Sequence, residues 1–488
     1  MQTTTRTRAK ATALAIAALF AAAAAKAAPT TRVMLFFDTE DYTCDRSNDA
    51  IRDIANLLTE EGVRGNFNIA GYLAGRLVEL GRSDVIAALR PHVIGSQTLY
   101  HTRHPDLAEL GDAPDYERAY RDTLRDEARA FGMIEAVFGE GRCIFWCPPG
   151  NCVSAVAMDV YSDLGVPFAA GTAFDGPTAG GPYDAFLARP GRRKLGLWYA
   201  NQYHIPYSLV MTLESFMPRD GKPCPDFKPS LDALAKRDFA GLYMHPHIAV
   251  KKQHWDGPNY KGGNLVPWRQ WKQVEDRPPA DTAEYYRRFR AFIRAVKADG
   301  RFAFSDLEAL RATLMPRVAI ATNDLPAIRA SLEKEFGPIR SPASWCVTDV
   351  FQAVVRLLRG EAPATPGKAY GFLERPRGVT TATDVAADDL RAAAAQIDLA
   401  TFIPPAIRVG SREIGPADFL FAALEVLTTG AKTVTTRPRE QLGSFKEVPG
   451  LEKMNIANSW CHTKDFKDAH LSERLRLQLW TLRLEPEL

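Results

Sequence analysis

Short apolar runs alternate with amphipathic helical stretches along most of the chain, and no other feature restricts the fold as much. Residues 32–37 (RVMLFF) read as a buried strand. Residues 47–63 follow as a helix, with Ile51, Ile54, Leu57 and Leu58 on one face and Gly62 near its end. The same reading gives strands at 64–70, 92–96, 143–150, 195–201 and 241–247. Helices are expected from Gly71, over 115–139, 155–165 and 282–300, and a last strand–helix unit over 302–314. Strand–helix alternation of this length predicts a parallel sheet and a (β/α) barrel.

With 488 residues the chain is long enough for two or three domains. Its 46% hydrophobic and 24% charged residues fit a globular protein with a large core. A net charge of +3, with acidic and basic residues interspersed, predicts no nucleic-acid partner. Arg6, Arg8 and Lys10 precede an Ala-rich apolar run that ends at Ala25-Lys26-Ala27. This is the pattern of a signal peptide, residues 1–28, and implies a periplasmic or secreted protein. The run is short for a spanning helix, and no later stretch is long enough, so no stable membrane span is expected after cleavage. The alternative is an uncleaved N-terminal anchor. Seven cysteines are an odd number, and none forms a Cys-x-x-Cys pair, which argues against a zinc ribbon.

In a barrel of this kind chemistry gathers where strands end. Asp38 and Glu40 follow the first strand; Gln97, His101 and His104 follow the third. The turn Pro148–Gly150 ends the fourth, flanked by Cys147 and Cys152, which we expect as a disulfide or as buried thiols. His245 and His247 end a late strand. Alternate residues of an extended chain share a face, so Asp38 and Glu40 point the same way. Trp255 and Tyr260 lie in a Gly/Pro-containing loop where aromatic faces can stack on sugars, and His254 reads as a structural residue or substrate contact.

The segments FFDTED (36–41), GSQTLYHTRHP (95–105), WCPPG (146–150) and YMHPH (243–247) resemble, in order and spacing, the motifs of the NodB-type polysaccharide deacetylases, carbohydrate esterase family 4. The resemblance covers roughly residues 31–315. It implies a distorted (β/α) barrel and metal-dependent removal of acetyl groups from a polysaccharide, by hydrolysis of a C–N amide or an acetyl ester. By resemblance Asp38 is the general base and His245 the general acid. One divalent ion, zinc or another transition metal, takes Glu40, His101 and the flanking Gln97 and His104 as candidate ligands. Pro148, Gly150, Trp255 and His247 are candidate substrate contacts. The chain departs from the family at two places. Gln97 stands where the family has a histidine ligand, and an amide oxygen ligates zinc less readily than imidazole. Trp146 stands where the family has the arginine that braces the base.

Beyond the barrel, short helical stretches are separated by Pro/Gly loops. Residues 403–420 loosely resemble a pseudomurein-binding repeat. The expected organisation is a signal peptide (1–28), a NodB-like barrel (29–316) and a smaller α-rich C-terminal domain (317–488) that binds cell wall or glycan, or else packs as a lid on the barrel. The expected partner is an acetylated polysaccharide or cell-wall glycan. The two departures leave a second reading: a catalytically impaired NodB-like glycan-binding protein.

Overall fold

In β1, Thr31–Thr39, period two sorts the side chains onto two buried faces. Val33, Leu35 and Phe37 pack under the helices Asp45–Glu60 and Pro279–Ala298. Met34 and Phe36 face the other way, and Phe36 meets the rings of Tyr207 and Phe145. Both faces are covered, as a parallel strand requires.

The computed structural model describes residues 30–151, 153–175, 197–208, 210–218, 226–260, 266–314, 316–443, 462 and 465–484. The expected signal peptide, Cys152 and the side chain of Tyr260 lie outside the described residues. The further strands of the main sheet are β2 (Asn66–Ile69), β3 (Val93–Ser96), β4 (Cys143–Trp146), β5 (Phe168–Asp175), β6 (Leu197–Tyr199), β7 (Gln202–Ser208), β8 (Phe239–Met244) and β9 (Phe302–Phe304). Their order is β6-β7-β5-β4-β3-β2-β1-β8, with β9 also on β1. Every pairing is parallel except the β6–β7 hairpin.

The sheet curls but does not close. β8 approaches β7 so nearly that a Cβ on Gly241 would sit 2.4 Å from the Pro206 carbonyl oxygen, yet no ladder joins the two strands. Pro206 has no N–H to give, and proline in a strand belongs at such an edge. The same proline hides β7 from a pattern reading, which expects no strand at 202–208. The helix Ser83–Leu89 is a second element that the pattern does not predict. β4 ends at Trp146, earlier than expected, because Pro148 and the one-turn helix Pro149–Asn151 follow at once.

The C-terminal part carries the helices Leu325–Lys334, Val347–Leu358, Ala387–Gln396, Pro416–Thr429 and Leu471–Leu477. Two small antiparallel pairs accompany them, Thr383–Ala386 with Thr433–Thr436 and Ile407–Val409 with Arg412–Ile414. One apolar cluster runs without a break from Phe36, Trp146 and Tyr161 of the barrel side to Phe351, Phe419 and Trp480. Residues 481–483 cover the edge strand β6: Arg483 N–H donates to the Trp198 carbonyl at 2.8 Å, and the Ala200 N–H donates to Thr481 Oγ1 at 2.8 Å. Among the described residues no helix is long and apolar enough to cross a membrane.

Candidate active site

The C-terminal ends of β1, β2, β3, β7 and β8 meet around a buried pit. Asp38 continues the inward parity of Met34 and Phe36 and is 6% exposed. The β1–β2 register sets Asp38 directly beside Asn68, whose Nδ2 donates to Asp38 Oδ1 at 2.9 Å. The Tyr207 hydroxyl lies 3.4 Å from the same oxygen, and His245 Nε2 lies 3.5 Å from Oδ2. Burial pushes the Asp38 carboxyl up to about 6, and the charge of His245 opposes that rise.

Glu40 is buried just past the end of β1. Trp255 Nε1 donates to its Oε1 at 3.0 Å. Its Oε2 lies 2.7 Å from His101 Nε2, but out of line for a hydrogen bond. Burial alone would raise the Glu40 carboxyl, yet the charges of His101 and His245 outweigh it and hold the group far below the usual carboxylate range. His101, with φ of 57°, has its Nδ1 3.3 Å from Asp256 Oδ2. Burial works against protonation of this imidazole, and Glu40 and Asp256 prevail, raising it to about 10.

His245 is held by Glu214, from the one-turn helix Leu213–Phe216. Both His245 Nδ1 (2.6 Å) and its backbone N–H (3.1 Å) meet Glu214 Oε1. Burial disfavours the charged ring, but Glu40 and Glu214 raise it to about 10. The His254 ring stands edge-on to His245 with centroids 4.5 Å apart, and His247 lies 5.4 Å from His254. His247 is 2% exposed, and neither of its ring nitrogens has a hydrogen-bond partner.

These observations test whether a cation fits. One donor atom each from Glu40, His245 and His254 can be chosen so that all lie within 4.8 Å of one another. Beside them the buried Glu40 Oε2 and both His247 nitrogens lack partners, which is costly unless something fills the gap. The Glu214–His245 contact is the carboxylate–imidazole arrangement that orients a histidine toward a metal. Carboxylate and imidazole suit zinc and comparable divalent ions. The residues therefore fit a divalent cation.

The other expected residues fall as follows. Gln97 is buried in the pit with an unpartnered Oε1, and its amide bonds the Cys147 thiol. His104 turns away and forms a separate group with Asp106 and Glu109, its Nδ1 2.7 Å from Glu109 Oε2. Cys147 is a buried thiol 3.6 Å from the Tyr207 hydroxyl, and burial raises it well above the usual thiol range. Pro148 is buried, and Gly150 takes φ of 51° in the turn after β4. Trp255 is no exposed platform, being 2% exposed and packed on Tyr42 and Trp271. Trp146 faces out of the pit, stacked on Tyr161 at 4.7 Å with its Nε1 on Gln202. Asn68, Tyr207, Glu214 and Asp256 enter the site without having been singled out as catalytic or ligand residues. The one legible signal was Asn66-x-Asn68, two amides on one face of a buried strand.

No family model matches the chain, and no curated protein matches it. Similar solved structures include a provisionally assigned polysaccharide deacetylase from Mycobacterium smegmatis, at 14% identity and a TM-score of 0.36, over 60% of this chain and 94% of that one. A family 4 carbohydrate esterase from Streptomyces lividans, in complex with acetate, is similar at 13% identity and a TM-score of 0.29, over 57% and 91%. A 4-alpha-glucanotransferase from Thermococcus litoralis is similar at 11% identity and a TM-score of 0.37, over 62% and 44%. Family 4 carbohydrate esterases, which the sequence motifs resemble, are thus among the solved structures to which this chain is similar.

Proposed function

We propose that this chain is an exported hydrolase that removes acetyl groups from a polysaccharide or cell-wall glycan, with a divalent cation held by Glu40, His245 and His254. The observation that carries the reading is one buried pit in which a carboxylate of raised pKa, Asp38, faces a separate carboxylate–imidazole donor set.

A divalent cation there supplies Lewis acidity toward the acetyl carbonyl. Asp38 takes the proton from the attacking water and returns it to the departing nitrogen or oxygen, so one carboxyl serves as base and then acid. Asn68 and Tyr207 engage Asp38 Oδ1 and leave Oδ2 for this work. The resemblance would make His245 the acid. Its Nδ1 is bound to Glu214, which leaves Nε2 as the nitrogen that would hold the cation in place of its proton, so we assign His245 to ligation. His101 stays beside Glu40, and the buried His247 ring lies beside His245 and His254.

For the C-terminal region we propose glycan binding. The supporting feature is an open cleft of about 720 Å³ lined by Ile397, Phe402 and Ile407 together with Asp389, Gln396 and Arg408.

The experiment is metal analysis of the purified chain together with acetate release from a panel of acetylated glycans, with Asp38→Asn as control. Acetate released by the wild type alone supports the hydrolase. Co-sedimentation with glycan without acetate release favours the impaired glycan-binding reading.

A further inference from the structure

Three consecutive residues after β8 reach the same carboxylate by different routes. His254 contributes to the donor set with Glu40 and His245. Trp255 donates its indole N–H to Glu40 Oε1. Asp256, fully buried, lies 3.3 Å from His101 Nδ1, and His101 Nε2 in turn lies against Glu40 Oε2.

We propose that His254–Trp255–Asp256 is a clamp that sets the position of Glu40, with Trp255 and Asp256 as positioning residues for cation affinity. The inference rests on the reading of Glu40 as a cation ligand. An indole N–H can only donate, so its contact occupies Oε1 and turns Oε2 toward the pit. Asp256 Oδ2 also accepts from Thr102 Oγ1 at 2.7 Å, which ties the loop after β3 to the loop after β8. The Asp256 carboxylate stands 3.3 Å from Nδ1 of His101, and Nε2 is the nitrogen that faces Glu40.

The turn that carries the clamp is itself fixed. The Asn259 N–H donates to the Asp256 carbonyl at 2.9 Å, and Asn259 Oδ1 accepts from the Lys272 N–H at 3.0 Å. Tyr42 and Trp271 pack on the Trp255 ring at centroid distances of 4.9 and 5.0 Å. Ligand and positioning groups on one rigid turn give a preorganised site, since partners of this kind govern both orientation and affinity.

The test uses the full chain with Zn²⁺ and Mn²⁺ as probes. Affinity is read by competition with a chromogenic chelator, and melting is followed with EDTA and with each ion. Trp255→Phe keeps a ring between Tyr42 and Trp271 and removes the N–H; Asp256→Asn removes the negative charge beside His101 Nδ1. Each is expected to lower ion affinity by about 10–100-fold and to shrink the ion-induced rise in Tm, with the EDTA melting temperature unchanged. Wild-type affinity in both variants would overturn the clamp and leave the cation reading standing. A fall in the EDTA melting temperature that accounts for the loss of affinity would also overturn it, by making the role one of packing. Failure of the wild type to bind either ion would overturn the cation reading and the clamp with it.

Discussion

Glu127 offers a perturbation whose magnitude follows from the structure. It lies on the helix Tyr116–Phe138, is 2% exposed, and accepts from the backbone N–H of Leu99. The Tyr161 hydroxyl sits between Glu127 Oε2 and Ser96 Oγ, the latter 2.9 Å away. Tyr161 and Ser96 each carry a hydroxyl proton, so Tyr161 can donate to Glu127 and accept from Ser96, and burial decides the state of the carboxyl. Burial pushes the carboxyl up from 4.5 to about 8, against the pull of Tyr161. At about 1.4 kcal/mol per unit, that rise corresponds to at most about 5 kcal/mol. Between 4.5 and about 8 the folded chain holds a proton that the unfolded chain releases. The contribution is therefore complete below the unfolded value and is lost as pH rises through the folded one. Glu127→Gln keeps a donor for Tyr161 and an acceptor for Leu99 but cannot ionise. Urea unfolding of both proteins should show the wild type losing about 2 kcal/mol more than the variant between about pH 6 and pH 8. Parallel pH slopes, or a variant less stable at both pH values, would refute the neutral carboxyl. Because Ser96 and Leu99 bracket Gln97, the same change tests what holds the loop that carries Gln97 and His101.

Asp38→Asn should abolish acetate release with the metal content almost unchanged, whereas Glu40→Gln should lose the metal; elemental analysis beside an acetate assay separates the two roles. His254→Ala should lower Zn²⁺ affinity by about 100-fold or more, and His104→Ala should leave it within about two-fold, because His104 belongs to the other group; chelator competition reads both. Gly95→Ala should cost about 2–3 kcal/mol in urea unfolding, since its Cβ would fall 2.4 Å from the Phe145 ring and 2.6 Å from the Phe145 carbonyl oxygen.

Parity along a strand is local, and so Asp38 and Glu40 could be placed on one inward face from β1 alone. Pairing register is not local. Asn68 belongs to the site only because β2 lies beside β1 with Asn68 opposite Asp38. Tyr207 was hidden because Pro206 makes β7 read as a loop, although that proline sits where the sheet stays open. Glu214 is 31 positions from His245, in a one-turn helix with no periodic signal. Trp255 has the sequence setting of an exposed sugar platform, and only the fold shows that its N–H is committed to Glu40. The strand–helix alternation, its parallel sheet and the polar residues at the strand ends were legible; the partners that orient each group come from distant strands and loops, and were not.

The exchange of Arg for Trp146 illustrates how such partners substitute for one another. Trp146 fills the space against Tyr161 on the outward side of β4, so no side chain from that position reaches Asp38. A buried carboxylate without a donor would stay protonated and could not act as base. Here Asn68 supplies the donor from the neighbouring strand, without a second charge. Asp38 is braced but not strongly acidified, which agrees with a carboxyl that burial pushes up to about 6 against the opposing charge of His245. Asn68→Ala removes this donor and leaves Glu40, His245 and His254 untouched. A hydrogen bond to a charged group contributes about 1.5–3 kcal/mol, so kcat for acetate release should fall by about 10- to 100-fold with Zn²⁺ affinity unchanged. Tyr207→Phe, which removes a longer contact of 3.4 Å, should cost much less. Steady-state kinetics beside chelator competition distinguishes the outcomes. Unchanged kcat in Asn68→Ala, or a parallel loss of zinc, would show that Asn68 does not brace Asp38, which would then be oriented by Tyr207 and His245.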